Sequence, residues 1–259
     1  MTFSLPLLLI KLKGLLKNSL NQIGYEIRGS HVNAFQDQKK ILESFTQVKT
    51  ILDLGANIGQ TTDKYHAIFP EANIYAFEPY EKDFRVLAEQ HQNNKNIKAY
   101  QLAVSEKTGQ DKFFVSRFSV MNSLLPVAES SSNYLATYQS EKVDDVEVNT
   151  ISLDDFCQKE QIEHINILKM DIQGGEILAL QGATNLLSRK AIDLVYSEVM
   201  FGKMYENQSD FYQISNILFQ YGYVLYGLYN SHYGSNGVLG WGDAIFISSQ
   251  IETNLPKSW

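Results

Sequence analysis

Cysteine and positive charge are both scarce in this sequence. Cys157 is the only cysteine in 259 residues, so no disulfide can form within the chain and no zinc site can be built from cysteine pairs. We expect a buried structural thiol and a reducing, cytoplasmic setting. Asp and Glu outnumber Lys and Arg by 29 to 22, for a formal net charge of -7. Because a general nucleic-acid binder needs a basic face for phosphates, no nucleic-acid partner is expected.

Long apolar runs are also missing. The first apolar stretch, residues 5–10, is far too short to span a bilayer. Lys11, Lys13 and Lys17 alternate with leucines at helical spacing, so residues 5–20 predict an amphipathic basic helix. Such a helix packs on the domain or on a partner subunit of a homo-oligomer, or it lies peripherally on the inner face of an anionic membrane. The sequence leaves these alternatives open.

Short apolar runs alternate with helical stretches through most of the chain. Strands are predicted at residues 50–54, 73–78, 97–104, 165–170, 193–199, 223–229 and 244–248, and helices at 33–45, 60–69, 81–91, 176–187 and 211–221. This alternation predicts an α/β fold with a mostly parallel sheet, whose last two strands pair antiparallel. We expect a helical leader (1–48), one domain (49–250) with an extended, partly antiparallel insertion at about 105–151, and a tail (251–259).

A glycine turn follows the first predicted strand. It reads Asp53-Leu54-Gly55-Ala56-Asn57-Ile58-Gly59, so its glycines do not match the G-x-G-x-x-G spacing of a dinucleotide site. The preceding Asp53 carboxylate suits a ligand with a positive sulfonium or ammonium centre better than a pyrophosphate. Glu78 ends the second predicted strand, where an acid can accept hydrogen bonds from both ribose hydroxyls of an adenosine.

These motifs resemble those of the FkbM family of class I methyltransferases. The resemblance rests on Asp53 to Gly59, Phe77-Glu78-Pro79, Leu102-Ala103-Val104-Ser105, the K-x-D-x-x-G-x-E pattern of Lys169 to Glu176, and Asp243-Ala244-Ile245-Phe246. At Gly175 the family often has a bulkier residue. The resemblance implies a Rossmann-like sheet of seven strands with the last one antiparallel and helices on both faces. It also implies S-adenosylmethionine as the methyl donor and a sugar, glycan or natural-product hydroxyl as the acceptor.

The same resemblance implies roles for individual residues. Asp53, Gly55 and Asn57 would face the methionine part of the cofactor, Glu78 the ribose, and Ala103 to Ser105 the adenine, while Ser123 would close over it. The full set of expected cofactor-binding residues is Asp53, Gly55, Asn57, Gly59, Glu78, Pro79, Ala103, Val104, Ser105, Ser123 and Asp171.

The candidate catalytic residues lie at strand ends. Asp171 ends one predicted strand and Glu198 lies near the end of the next, and either carboxylate could accept a hydroxyl proton or hold a divalent ion. Lys169 alternates with Asp171, and we expect it to fix a site carboxylate, because an unpaired lysine within a central strand is costly. Glu176 is a second candidate for that task. His232, expected in an aromatic-rich loop, is the histidine placed best to act as a base.

Two other interpretations compete with a methyltransferase. An NAD-dependent oxidoreductase would use a similar sheet, but the sequence lacks its glycine fingerprint. A non-catalytic cofactor-binding scaffold, held at a membrane by the leader, would not need the carboxylates and lysine at the strand ends. No spacing of His, Asp and Glu matches a familiar metal motif, so no metal is expected.

Overall fold

The computed structural model describes residues 33–129 and 142–255, together with Ser19 and Ser131. The chain divides into two units, Met1–Ala34 and Phe35–Trp259, and the features discussed below lie in the second. The predicted basic helix of residues 5–20 falls outside the described residues, apart from Ser19, and so does the end of the predicted tail. Within the described ranges, no helix has both the length and the apolar character needed to cross a bilayer.

Strands and helices alternate along the described chain. The strands are Thr50–Leu54 (β1), Asn73–Phe77 (β2), Ile97–Tyr100 (β3), Ala103–Val104 (β4), Gly109–Ser116 (β5), Lys142–Ile151 (β6), Ile165–Met170 (β7), Ile192–Met200 (β8), Tyr223–Tyr233 (β9) and Leu239–Ser248 (β10). The helices are Ala34–Glu43 (α1), Gln60–Ile68 (α2), Glu81–His91 (α3), Leu153–Lys159 (α4), Glu176–Gln181 (α5), Thr184–Ser188 (α6), Phe211–Gln220 (α7) and Ser249–Glu252 (α8), with a 3₁₀ turn at Ser119–Met121.

Seven of these strands form one sheet in the order β3-β2-β1-β7-β8-β10-β9. Strand β10 runs antiparallel to both β8 and β9, and the other neighbouring pairs are parallel. The predicted seven-stranded Rossmann-like sheet with its antiparallel last strand is therefore confirmed. The strand order reverses direction between β1 and β7, and in open α/β sheets ligands bind at the carboxyl ends of the strands beside such a point.

Helices cover both faces of this sheet, as expected. Leu52 and Leu54 of β1 belong to a buried cluster that includes Phe156 of α4, Leu180 of α5 and Leu218 of α7. Because side chains alternate along a strand, Asp53 points to the opposite face. There its Oδ2 accepts a hydrogen bond from Thr62 Oγ1 of α2.

Cys157 lies within α4 and is buried, as predicted for a structural thiol.

A second sheet of three strands, in the order β4-β6-β5, forms the core of the insertion. Strands β5 and β6 pair antiparallel, in agreement with the predicted pairing. The prediction of one strand over residues 97–104 was wrong. The main-sheet strand ends at Tyr100, and Ala103 and Val104 pair with Thr150 and Ile151 of β6 instead. The apolar run was correctly identified, but its second half belongs to the other sheet.

The single helix predicted over residues 176–187 is two short helices, α5 and α6, with Gly182 between them. A β-carbon at Gly182 would lie 2.3 Å from the carbonyl oxygen of Ser105, so the backbone approaches the insertion too closely for any side chain. The Gly182 carbonyl also accepts a hydrogen bond from the Asp154 amide. Helical periodicity continues through this break, so the sequence pattern predicts one continuous helix.

Candidate active site

A cavity of about 270 Å³ opens at the carboxyl ends of β1, β2 and β7. The insertion covers one side of it. The lining residues come from the turn after β1 and the start of α2 (Gly55, Ala56, Asn57, Gln60, Thr61), the end of β2 (Phe77, Glu78, Pro79), the β4 region (Leu102, Ala103, Val104), the insertion (Phe113, Ser119, Val120, Asn122, Leu124) and the end of β7 with the loop after it (Lys169, Asp171, Ile172, Gln173, Gly175). The cavity thus lies where the strand order predicts a ligand site.

Gly55 brings the turn after β1 against the end of β7. Its φ is +71°, and a β-carbon there would lie 2.0 Å from the Asp171 carbonyl oxygen. Both the backbone conformation and the space therefore require glycine. The close approach keeps the wall of the cavity as bare backbone, which a ligand can approach directly.

Glu78 presents a buried carboxylate to the cavity, with 6% of the residue exposed. Its Oε2 accepts a hydrogen bond from the Asn57 amide at 3.0 Å, and its Oε1 accepts one from the Tyr80 amide at 2.8 Å. Burial raises the pKa of this carboxyl to about 7, although the two backbone donors oppose the rise. The backbone fixes the carboxylate, and its remaining lone pairs can accept from a ligand.

Asn57 connects three parts of the site. Its φ of +50° lies in the left-handed region, which asparagine tolerates better than most residues. Its Nδ2 donates to Asp83 Oδ2 at 3.0 Å and to Ser119 Oγ at 3.2 Å. The side chain therefore joins the glycine turn to α3 and to the insertion above the cavity.

Lys169 and Asp53 form a buried ion pair at the floor of the site, with 2.9 Å between Nζ and Oδ1. The Nζ also donates to the carbonyl oxygens of Leu54 and Gly55, and Asp53 Oδ2 accepts from Thr62 Oγ1. Burial opposes the charge of Lys169, but the carboxylates of Asp53 and Asp171 outweigh it and raise the lysine pKa. We expect Lys169 to fix a site carboxylate, and the carboxylate that it binds here is that of Asp53.

Asp53 itself does not line the cavity, contrary to the expectation that it faces the ligand. It is fully buried, and its two oxygens are directed at Lys169 and Thr62. Strand alternation explains the difference, since the side chain points towards α2 and away from the strand end. Its contact with the cavity runs through Lys169, which is among the lining residues.

The two candidate carboxylates at the ends of β7 and β8 share one donor. Gln173 Nε2 lies 2.8 Å from Asp171 Oδ1 and 2.8 Å from Glu198 Oε2. Asp171 lines the cavity, whereas Glu198 lies beside it, outside the lining. Burial and then the nearby Asp171 carboxylate raise the pKa of Glu198 well above its ordinary value. Among the described residues, no group of three or more His, Cys, Asp or Glu side chains is placed to hold a metal ion.

Glu176 serves a different role from the one expected. Its Oε1 accepts a hydrogen bond from the Ile172 amide at 3.0 Å, and its Oε2 accepts one from Ser209 Oγ at 3.2 Å. The side chain is completely buried, and this burial raises the pKa of its carboxyl to about 7. Glu176 thus closes the loop between β7 and α5 and supports Asp171 through the backbone.

His232 lies away from the cavity, which corrects its expected position. Strand β9 continues to Tyr233, so His232 is part of an antiparallel ladder, paired with Trp241 of β10, and does not lie in a loop. Its ring stacks on the Trp241 ring with 4.7 Å between centroids, and the residue is exposed. The Gly and Asn residues in this aromatic-rich segment are typical of turns, which explains why the sequence predicts a loop here.

The remaining expected contacts divide into two groups. Pro79, Ala103 and Val104 line the cavity, as expected. Gly59, Ser105 and Ser123 do not. Ser123 is buried, and its Oγ donates to the Gln173 carbonyl oxygen at 2.8 Å, so it braces the insertion while its neighbours reach the cavity. Gly59 precedes α2, and the Ser105 amide pairs with β6.

Gln173 is a site residue that was not predicted from the sequence. It is a neutral amide inside the motif from Lys169 to Glu176, in which the candidate residues are the charged ones. Its Oε1 accepts a hydrogen bond from Tyr205 Oη at 2.6 Å, a partner 32 residues away. The motif spacing was a signal for Gln173, but nothing in the local pattern indicated Tyr205.

The chain is similar in sequence to known methyltransferases. Residues 53–225, about two thirds of the chain, match the family model described as the methyltransferase FkbM domain. The chain is 27% identical to the 2-O-methyltransferase NoeI of Sinorhizobium fredii, over 65% of this chain and 70% of that protein. It is 26% identical to the hexuronic acid methyltransferase AglP of Haloferax volcanii, over 62% of this chain and 60% of that protein. It is 27% identical to the 31-O-demethyl-FK506 methyltransferase of Streptomyces tacrolimicus, over 59% of this chain and 71% of that protein.

Proposed function

The chain belongs to the FkbM family of methyltransferases, and from that premise we propose that it methylates a hydroxyl of a sugar, glycan or natural-product acceptor. S-adenosylmethionine is the donor. The relatives named above include one 2-O-methyltransferase, one enzyme of hexuronic acid and one of a natural product. The observation that carries the proposal is that Gly55, Glu78 and Asp171, at the ends of three adjacent strands, line the same cavity.

The lining of the cavity fits this cofactor. Glu78 supplies a fixed acceptor for the two ribose hydroxyls, and the apolar Phe77, Leu102 and Val104 offer a surface for the adenine ring. Gly55 leaves backbone exposed where a side chain would fill the space. The Asp171 carboxylate favours a positive centre nearby. When bound, S-adenosylmethionine supplies an electrophilic methyl group on its sulfonium.

Asp171 is the proposed proton acceptor for the acceptor hydroxyl. It lines the cavity, and Gln173 holds one of its oxygens. A hydroxyl oxygen becomes a better nucleophile as it loses its proton to a carboxylate within hydrogen-bond reach. The Lys169–Asp53 pair and the Glu176 loop fix the backbone on either side of this group, so the rest of the contribution is positioning.

A panel of acceptors tests the proposal. Purified protein is incubated with S-adenosylmethionine and hexose glycosides, uronic acid glycosides or secondary-alcohol natural products, and methylated products are detected by mass spectrometry. We expect an O-methyl product in at least one of these classes, and far less of it with Asp171→Asn. Methylation of nitrogen acceptors alone would overturn the assignment to oxygen. Cofactor binding without turnover on the panel would favour the scaffold interpretation.

We also propose, from the sequence alone, a cytoplasmic enzyme held peripherally at the inner face of the membrane by residues 5–20. The three lysines of this segment alternate with leucines at helical spacing. Co-sedimentation of the full chain with anionic vesicles should exceed that with neutral vesicles, and replacing Lys11, Lys13 and Lys17 by Glu should abolish the difference. Unchanged sedimentation, together with a change in oligomeric state, would assign the segment to a homo-oligomer contact.

A further inference from the structure

The side-chain amide of Gln173 connects three residues from three elements. Its Nε2 donates to Asp171 Oδ1 and to Glu198 Oε2, both at 2.8 Å, and its Oε1 accepts from Tyr205 Oη at 2.6 Å. The carboxylates require a donor and the tyrosine hydroxyl supplies one, so these partners fix which end of the amide faces which group. One neutral side chain thereby holds both candidate carboxylates of the site.

The backbone of Gln173 is held from two sides. Its φ is +57°, an unfavourable conformation for a residue with a β-carbon. The Gln173 carbonyl oxygen accepts from Ser123 Oγ of the insertion, and the next carbonyl, that of Gly174, accepts from both the amide and the Oγ of Ser209. Such strain persists where surrounding contacts impose it, and it often accompanies a functional geometry. Here it directs the amide towards the two carboxylates.

Lys169 is a cation that acts on both carboxylates, but its Nζ is already bonded to Asp53 and to two backbone oxygens. In the part of the chain that the structure describes, the other titratable groups that act on the pair are acidic or phenolic: Glu176 on α5, Asp243 on β10, Tyr196 on β8, and Tyr205. A neutral double donor is therefore the group that reduces repulsion between Asp171 and Glu198 without adding charge.

We propose that Gln173 is the positioning residue of the site: by donating to both carboxyl groups it fixes their spacing and holds Asp171 in the position from which it accepts a proton. The role of Asp171 in this statement rests on the proposed function. The arrangement of the pair does not, because it follows from the hydrogen bonds alone. Gln173 acts through Asp171 and Glu198 and need not touch the acceptor.

The test uses the protein without cofactor or acceptor. Thermal unfolding of the wild type, Gln173→Leu and Gln173→Glu is compared at about pH 5 and about pH 8. Removing the donor should lower Tm more at the higher pH, where Glu198 ionises beside Asp171 without the hydrogen bond that offsets their repulsion. Gln173→Glu should resemble the wild type more closely at low pH, where its protonated carboxyl can donate one hydrogen bond, than at high pH, where it adds a charge.

Carboxyl NMR gives a second readout. With ¹³C-labelled Glu, the titration of Glu198, whose pKa is already raised by burial, should move further upward by about one pH unit in Gln173→Leu, since a hydrogen bond to a charged group has roughly that effect. The matched control is Gln110→Leu, which removes an exposed glutamine that bonds to the neutral Asn149 side chain. It should move neither the carboxyl titration nor the pH dependence of Tm.

An equal loss of Tm at both pH values, with an unmoved carboxyl titration, would overturn the proposal and leave Gln173 as a packing residue. If Gln173→Leu does not fold, Tyr205→Phe removes only the hydroxyl that anchors Oε1 and should give a smaller shift in the same direction. No shift in Tyr205→Phe would then count against the proposal. Because neither measurement involves methyl transfer, failure of the proposed function on the acceptor panel remains a separate result.

Discussion

Asp53 and Lys169 are register partners on the adjacent parallel strands β1 and β7, and they form an ion pair with 2.9 Å between Oδ1 and Nζ. Both residues are almost completely buried. The lysine also holds the carbonyl oxygens of Leu54 and Gly55, where β1 passes into the glycine turn. The pair therefore joins the two strands that flank the reversal of strand order and sets the floor of the cavity.

Breaking this pair from one side should be costly. Lys169→Met leaves the Asp53 carboxylate buried without its cation, so we expect a loss of about 3–5 kcal/mol in the free energy of unfolding, measured by urea denaturation. The double variant Asp53→Asn, Lys169→Met should lose less than the sum of the single variants. Arg85→Ala, which breaks an exposed pair with Glu81, is the control and should have little effect. Additive losses would show that the two charges do not depend on each other.

Alanine substitutions at Gly55 and Gly237 distinguish the cost of backbone strain from the cost of a steric clash. Both glycines have positive φ, +71° and +76°, but a β-carbon at Gly237 has nothing within 4 Å, whereas at Gly55 it meets the Asp171 carbonyl. Gly237→Ala should cost about 1–2 kcal/mol from conformation alone. Gly55→Ala should cost distinctly more in urea denaturation and should also weaken S-adenosylhomocysteine binding. Equal losses in the two variants would mean that the turn can move away from β7.

Glu176 should make stability depend on pH. Its folded-state pKa of about 7 lies above the ordinary value of 4.5, so the folded state keeps a proton that the unfolded state releases. The associated stability is present below about pH 4.5 and is lost as pH rises through about 7, with a magnitude of about 3 kcal/mol. Glu176→Gln keeps the acceptor for the Ile172 amide and removes the titration. Urea denaturation from pH 5 to about pH 8 should therefore show a flatter profile for the variant, and parallel profiles would contradict the assignment.

Asp171→Asn should reduce turnover far more than cofactor affinity. The amide keeps the shape of the side chain but cannot take a proton, and general-base catalysis typically contributes about 10²–10⁴-fold. The measurement is kcat on an acceptor from the panel, alongside calorimetric binding of S-adenosylhomocysteine. His232→Ala is the control, because that ring is exposed and stacks on Trp241 outside the cavity. The reverse pattern in Asp171→Asn would make Asp171 a cofactor ligand.

The sheet, the glycine turn and Glu78 can be predicted from the sequence because they depend on local periodicity and on spacing along the chain. The break at Gly182 cannot, because it arises from contact with the Ser105 backbone, and neither can the pairing of residues 103–104 with the second sheet. Asp53 adjoins the glycine turn and so resembles a ligand-binding residue, but strand alternation directs its side chain away from the cavity. The Gln173–Tyr205 contact depends on loops that only the tertiary structure brings together.

The central claim is that the cavity holds an adenosyl cofactor through Glu78, and calorimetric titration tests it most directly. Wild-type protein should bind S-adenosylhomocysteine and S-adenosylmethionine in preference to NAD. Glu78→Ala should weaken S-adenosylhomocysteine binding by about 1–3 kcal/mol, the effect of removing a buried hydrogen-bond acceptor. Because the Glu78 pKa is raised to about 7, wild-type affinity should also fall below that pH, and Glu78→Gln should remove this dependence. Preferential NAD binding, or an unchanged affinity in Glu78→Ala, would contradict the claim.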